Sequence, residues 1–291
     1  MTYFMSILMG IIQGVAEFLP ISSSGHLALF QTFFGMENME EKYMFFTVLL
    51  HFGTLISVCM VYWRDIVDMI REFFLGIAAL AGRKDTGVAP PPARRMVMLI
   101  IIATVPLFVM VFLQDAVNQL FSNSIMVSCA LLATGFILFF SDRMARGHKT
   151  AKNATVADAL IVGCGQALAV IPGLSRSGTT ISVGMMRGFD RAFAVRFSFL
   201  MSLPAVLGAN VLEIKDALAS NFPIEELPMY LVGVAVSAVV GYFAIRLVKS
   251  LSDKGKFGKF AYYCWAVGLG SLVAGVVKMM LLKRQKPDTK E

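Results

Sequence analysis

The sequence predicts an all-α integral membrane protein of inverted-topology repeats, each a re-entrant helix hairpin plus three transmembrane helices. Three observations predict this. The 291 residues are 57% hydrophobic and 15% charged, against about 45–50% and about 25% in soluble domains, and mean hydropathy is +0.72. Runs such as MVMLIIIATVPLFVMVFLQ (96–114) reach the ~20 apolar residues that cross a bilayer. Two apolar stretches break around the same polar pattern, once in each half.

The first repeat covers 1–141. Its hairpin, 3–34, is long enough for more than one helix but is interrupted by LPISSSGH. Such a break frees backbone N–H and C=O groups, which only protein or a water-filled cavity can satisfy at membrane depth. A helix over 43–63 follows. Residues 64–82 (RDIVDMIREFFLGIAALAG) set charges at helical spacing against an apolar face, the pattern of an interfacial helix. RKDTGVAPPPARR (83–95) is a solvated linker, and spans at 96–114 and 123–141 complete the repeat. A basic cytoplasmic linker, 142–155, leads into the second repeat, 156–291. There the hairpin 156–190 is broken at IPGLSRSGTT, before helices at 192–212, 228–248 and 260–282.

Charge in the gaps gives the sides. Gap 35–42 (GMENMEEK) and gap 213–227, with Glu213, Asp216, Glu225 and Glu226, are acidic and read as outside. Gaps 64–95, 142–155 and 249–259 are rich in Lys and Arg, as is 187–196 with Arg187, Arg191 and Arg196; these read as inside. The count closes only if each hairpin enters and leaves on one face, the first from outside and the second from the cytoplasm. The basic tail KRQKPDTKE is the misfit. Gln13, Ser22, Ser24 and Gly25 sit 153 positions before Gln166, Ser175, Ser177 and Gly178. Three spans after each hairpin invert the second copy, the plan in which broken helices meet near the midplane.

The net charge of +7 lies in these gaps, so it follows the positive-inside rule rather than marking a nucleic-acid partner. Cys59, Cys129, Cys164 and Cys264 lie in apolar runs without C-x-x-C spacing and read as small hydrophobes. The N-terminus lacks the pattern of a cleaved signal peptide. His51 reads as structural and His148 as solvated in a basic loop.

The polar residues of the hairpins are the candidate site. Gln13 and Glu17 share a helix face, and a carboxylate at that depth costs about 2.5–3.5 kcal/mol, so it faces a cavity, a partner or a metal. Pro20 ends the helix; Ser22, Ser23 and Ser24 supply hydroxyls, Gly25 flexibility, and His26 a general acid or base. In the second hairpin Gly173 and Gly178 allow amides to converge in an anion-binding nest. Ser175, Ser177 and Thr180 add hydroxyl donors, and Arg176 is a permanent cation with a fork suited to phosphate oxygens. Together they suit hydrolysis of a phosphoric anhydride, with a divalent cation on Glu17 and Gln13. The duller reading makes Glu17 and Arg176 a structural ion pair, His26 a helix-packing group and the serines close-packing residues.

QGVAEFLPISSSGH and PGLSRSGTT resemble the two signature segments of the undecaprenyl-diphosphate phosphatase, or bacitracin resistance, family. The likeness runs over the whole chain. It implies hydrolysis of the C55 polyprenyl diphosphate to the monophosphate and phosphate, recycling the carrier for cell-wall polymers and conferring bacitracin resistance. It also implies a divalent cation (Mg2+ or Ca2+), a site opening to the outer face of the bacterial plasma membrane, and a homodimer. By position, the family's E/Q-x-x-x-E element falls on Gln13 and Glu17; here Gln13 leaves one carboxylate where other members have two. The serine-glycine-histidine element falls on Ser22 to His26, and the second signature on Gly173, Ser175, Arg176, Ser177 and Thr180. Ser23 is either the nucleophile or the group that positions a water. The alternative functions are a flippase or transporter of polyprenyl phosphates, alone or combined with hydrolysis, and a structural scaffold.

Overall fold

The computed structural model describes residues 1–34, 44–80, 91–113, 117, 119–120, 123–219 and 224–285. The acidic gap 35–42, most of the linker 83–95 and the end of the basic tail lie outside the described residues. Every regular element among those described is helical, beside one isolated bridge between Lys149 and Phe189. The chain opens with α1 (Tyr3–Ala16) and α2 (Ser23–Phe34), separated by the turn that holds Pro20. Each is about 18–21 Å long at 1.5 Å per residue, too short for a hydrocarbon core of ~30 Å.

Next come α3 (Met44–Val61) and α4 (Trp63–Leu80), bent 89° from one another. Along α4, Asp65, Asp68, Arg71 and Glu72 alternate with the exposed apolar side chains of Trp63, Ile70, Phe73 and Phe74. A helix of that composition turned across its predecessor suits the interface plane. The next span begins at Pro92 instead of 96, with Pro92 at the first helical position, where the missing N–H is no loss. Pro106 interrupts it, because proline cannot bond to the preceding turn. The span is therefore α5 (Pro92–Thr104) and α6 (Leu107–Val111). The remaining helices are α7 (Ser124–Met144), α8 (Val156–Leu168), α9 (Arg176–Met186), α10 (Arg191–Ala219), α11 (Leu227–Asp253) and α12 (Phe260–Gln285). Five described stretches are long and apolar enough to cross a membrane: Pro92–Val111, Ser124–Met144, Arg191–Val211, Ile224–Asp253 and Phe257–Leu281. A sixth is counted where α3 and α4 are taken as one bent span.

Small residues set the helix contacts. α1 packs along α11 at Gly10 and Gly14, where a Cβ would sit 2.6 and 2.8 Å from the carbonyl oxygens of Gly233 and Ser237. Membrane helices use such positions because dispersion replaces the hydrophobic drive between them. α3 also packs on α11, α7 pairs with α12, α9 lies on α7, and α8 lies on α5. Phe189, Phe193 and Phe197 form a buried aromatic group, and Phe18 stands edge-on to Phe199 at 5.5 Å. Phe18 thereby anchors the first break to α10.

Ion pairs gather the basic gaps at one end of the molecule. Asp142 accepts from Arg191 and from the Gly258 amide, Arg196 pairs with Asp65, and Arg95 donates to the Ala154 carbonyl at 2.8 Å. The N-terminal amino group instead pairs with Glu226, in an acidic gap. Asp158, fully buried near the start of α8, accepts from Lys149 at 2.8 Å and from Arg187, just past α9, at 2.9 Å. It also closes a capping box with Thr155. The two ends of the second hairpin therefore lie side by side. Loss of Asp158 removes charge-assisted hydrogen bonds worth about 1.5–3 kcal/mol each when buried, less here because Lys149 and Arg187 are part-exposed. Asp158→Ala is therefore expected to lower the thermal unfolding midpoint of the purified protein markedly; an unchanged midpoint would mean the cluster holds nothing together.

Candidate active site

Two breaks in apolar helices meet here, and each is capped in the same way. Ser22 Oγ accepts the Gly25 amide and Ser175 Oγ accepts the Gly178 amide, both at 3.2 Å. Each capping serine also neighbours a second hydroxyl, Ser24 at 3.5 Å and Ser177 at 3.3 Å. Of the residues that recur 153 positions apart, Ser22 with Gly25 and Ser175 with Gly178 thus perform the same local task, satisfying an orphan amide at a helix start.

Glycine lets the two breaks touch. A Cβ on Gly25 would lie 2.8 Å from Gly173 Cα, and one on Gly178 would lie 3.0 Å from Pro20 Cβ. Gly173 has φ +97 and is pressed against the Val127 carbonyl of α7. The carbonyls freed by the breaks find protein partners. Pro20 O accepts from Cys264 Sγ at 3.5 Å, Leu19 O from Ser177 at 3.4 Å, and Gly173 O from Thr134 at 2.9 Å. Thr134 also accepts the Ser175 amide. Backbone that lipid would leave unpaired is thereby held inside the bundle.

At this junction Arg176 Nη2 donates to Glu17 Oε1. The first hairpin supplies the anion and the second the cation. Glu17 is nearly buried and Arg176 about a quarter exposed, with side-chain values of 8% and 23%. Gln13 Nε2 donates to Glu17 Oε2 at 3.2 Å, which leaves its amide oxygen without a protein partner among the described residues. Arg176 Nη1 is buried with no protein partner among the described residues, and so are both amide atoms of Gln166 and the hydroxyl of Thr179. A guanidinium with a spare donor beside a helix start is suited to a phosphate oxygen.

The other candidates divide. Ser22 has φ 66, a left-handed conformation that is costly outside glycine. Its carbonyl accepts both the His26 amide at 3.2 Å and His26 Nδ1 at 2.8 Å. With Nδ1 donating, Nε2 accepts the Tyr263 hydroxyl at 2.8 Å, and the two rings stack at 5.6 Å. His26 is thus bonded to Ser22 and Tyr263 rather than to Glu17 or Arg176. Ser23 is half-buried, and its hydroxyl has no protein partner among the described residues. Thr180 faces away: it donates to the Arg176 carbonyl at 2.8 Å and shares a 2.6 Å contact with Ser198. The expected nest of amides takes another form. Gly178 lies inside the first turn of α9 and its amide is already capped, so anion attraction rests on Arg176 and the helix start rather than on converging glycines. His51 bonds the Thr47 carbonyl within its own helix, and His148 is exposed.

Tyr263, Thr134 and Cys264 belong to no motif and reach the junction from α12 and α7. The only sequence signal near them is a tyrosine or threonine in an apolar run, which many spans carry. No three His, Cys, Asp or Glu side chains cluster among the described residues. Glu17 with the Gln13 amide oxygen is a two-ligand set. It can hold a divalent cation completed by phosphate oxygens once Glu17 is released by Arg176, since both Glu17 oxygens are engaged, by Arg176 and by Gln13.

A family model described as bacitracin resistance protein BacA matches residues 6–270. The chain is 42% identical over 269 residues to an undecaprenyl-diphosphatase of Alkaliphilus metalliredigens (strain QYMF), covering 92% of this chain and 97% of that protein. It is 40% identical over 278 residues to an undecaprenyl-diphosphatase of Halothermothrix orenii (strain H 168 / OCM 544 / DSM 9562), covering 95% and 100%. It is 38% identical over 276 residues to one of Methanosphaera stadtmanae (strain ATCC 43021 / DSM 3091 / JCM 11832 / MCB-3), covering 94% and 98%.

Proposed function

This chain belongs to the bacitracin resistance protein BacA family, and on that premise we propose that the Glu17–Arg176 junction is its catalytic centre. The chain hydrolyses undecaprenyl diphosphate to undecaprenyl phosphate and inorganic phosphate, recycling the lipid carrier of cell-wall synthesis. One observation carries the assignment to this centre: the single carboxylate of the first break and the single guanidinium of the second are in contact.

Arg176 exchanges Glu17 for the diphosphate, and its unpartnered Nη1 takes a second phosphate oxygen. Glu17 and the Gln13 amide oxygen would hold the divalent cation, Mg2+ or Ca2+, which when bound neutralises phosphate charge and polarises the scissile bond. The Ser23 hydroxyl, free of protein partners, either attacks the terminal phosphorus or holds the water that does. The attacking oxygen loses its proton to the Tyr263 hydroxyl, which passes its own to His26 Nε2. The P–O anhydride bond breaks and the lipid leaves as the monophosphate. Where water attacks, the proton passes on to the released phosphate. Where Ser23 attacks, the proton passes to the departing monophosphate, and a water then cleaves the phosphoseryl bond, freeing phosphate and returning a proton to Ser23 Oγ. Ser22, Ser24, Gly25, Gly173, Ser175, Ser177 and Gly178 shape and cap the two breaks that hold these groups; Thr180 fixes the Arg176 carbonyl.

The fold reading follows the same plan. The matched serine caps support two inverted repeats, and so does the packing, since α1 lies on α11 as α8 lies on α5. The basic end of the molecule is the cytoplasmic one in the plasma membrane, and the first break opens toward the outer face.

Phosphate release from undecaprenyl diphosphate by the detergent-purified protein, with and without EDTA, tests the function. Release that EDTA abolishes and Mg2+ restores is expected; lipid movement without phosphate release would refute it. In this scheme the Tyr263 hydroxyl carries the proton to His26. Tyr263→Phe keeps the stacked ring and deletes the hydroxyl, so kcat is expected to fall roughly ten- to a hundredfold with KM nearly unchanged, a part of what general acid–base catalysis contributes. An unaltered kcat would make the contact mere packing.

A further inference from the structure

A cavity of about 520 Å3 lies between the end of α3 and the end of α11, sharing no residue with the catalytic junction. Met60 and Val61 form its apolar side, and Arg246, Lys249 and Lys254 its charged side, against one carboxylate, Asp253. Among the described residues none of the three cations takes part in an ion pair. The neighbouring Asp65 pairs with Arg196 and also feels the charge of Lys249, at a distance beyond an ion pair. Arg246 is held in place: it donates to the Tyr242 hydroxyl at 3.0 Å and its guanidinium sits over that ring at 5.5 Å.

Depth is given by the bend. α4 turns 89° from α3 immediately after Val61 and carries the exposed Trp63 beside charged residues. An amphipathic helix across its neighbour marks the headgroup plane, and tyrosine and tryptophan favour that level. The cavity therefore opens where phosphate headgroups lie, with apolar wall toward the acyl chains and cations toward water. Basic pockets between helices on the cytoplasmic side bind anionic headgroups. We propose that this cavity is a binding site for the headgroup of an anionic phospholipid in the cytoplasmic leaflet.

Native mass spectrometry of the full-length protein, released from detergent with dioleoyl-phosphatidylglycerol, dioleoyl-phosphatidylcholine or inorganic phosphate, tests this. Retention of phosphatidylglycerol at least tenfold better than phosphatidylcholine is expected. Combining Arg246→Ala, Lys249→Ala and Lys254→Ala should weaken it roughly a hundredfold, about fivefold per cation. Combining Arg246→Lys, Lys249→Arg and Lys254→Arg should preserve it, with lipid-free unfolding temperatures alike. If the triple alanine protein unfolds early, Arg246→Gln decides, with about fivefold weaker retention. Equal retention by the alanine or glutamine variant, or equal retention of phosphatidylcholine, overturns the proposal. So does displacement of the lipid by inorganic phosphate at equal concentration, which would assign the cavity to free phosphate.

Discussion

Arg176→Lys is expected to lower turnover of undecaprenyl diphosphate roughly a hundred- to a thousandfold, while the protein still inserts and purifies. Lysine keeps the charge and can still pair with Glu17. It loses the planar fork, and with it the Nη1 donor that has no protein partner and the two-point hold on phosphate oxygens. A purely structural ion pair would tolerate this change. The double variant Glu17→Arg with Arg176→Glu sharpens the distinction, because it rebuilds opposite charges at the junction with their places exchanged. Phosphate-release assays should find it inactive; recovery of activity would mean that only the pairing mattered.

Glu17→Gln is the companion result. Turnover should fall by a similar roughly hundred- to a thousandfold, and the divalent cation needed for half-maximal rate should rise at least tenfold. Gln13 is already neutral, so the variant has no carboxylate left on the first break. Metal titration of phosphate release reads both effects. A cation requirement equal to that of the unsubstituted protein would move the metal away from Glu17.

Much of this junction is legible in the sequence because membranes penalise polarity. Glu17 and Arg176 stand out among apolar neighbours, and proline, serine and glycine mark where helices stop. The serines that recur 153 positions apart are legible for the same reason, and Ser22 and Ser175 each cap a helix by accepting a glycine amide, though Ser22 does so from a left-handed backbone and Ser175 from an extended one. What completes the junction is not local. Thr134 and Cys264 satisfy freed backbone across more than 35 positions of sequence, and Tyr263 reaches His26 from the last helix. Tertiary packing alone chooses those partners, so no spacing rule finds them. The glycines carry a related lesson. Gly178 reads as backbone freedom for anion binding, yet it occupies a helical turn and is small so that Pro20 can approach. Likewise the run after Val61 reads as amphipathic from its charges, but the 89° turn that sets its direction depends on how α3 and α4 pack.

The most direct test measures binding without chemistry. A polyprenyl methylene-bisphosphonate, which cannot be hydrolysed, should bind the protein in the presence of Mg2+, and Glu17→Gln and Arg176→Lys should each weaken that binding at least tenfold. Wild-type affinity in either variant would contradict a headgroup held jointly by the two breaks.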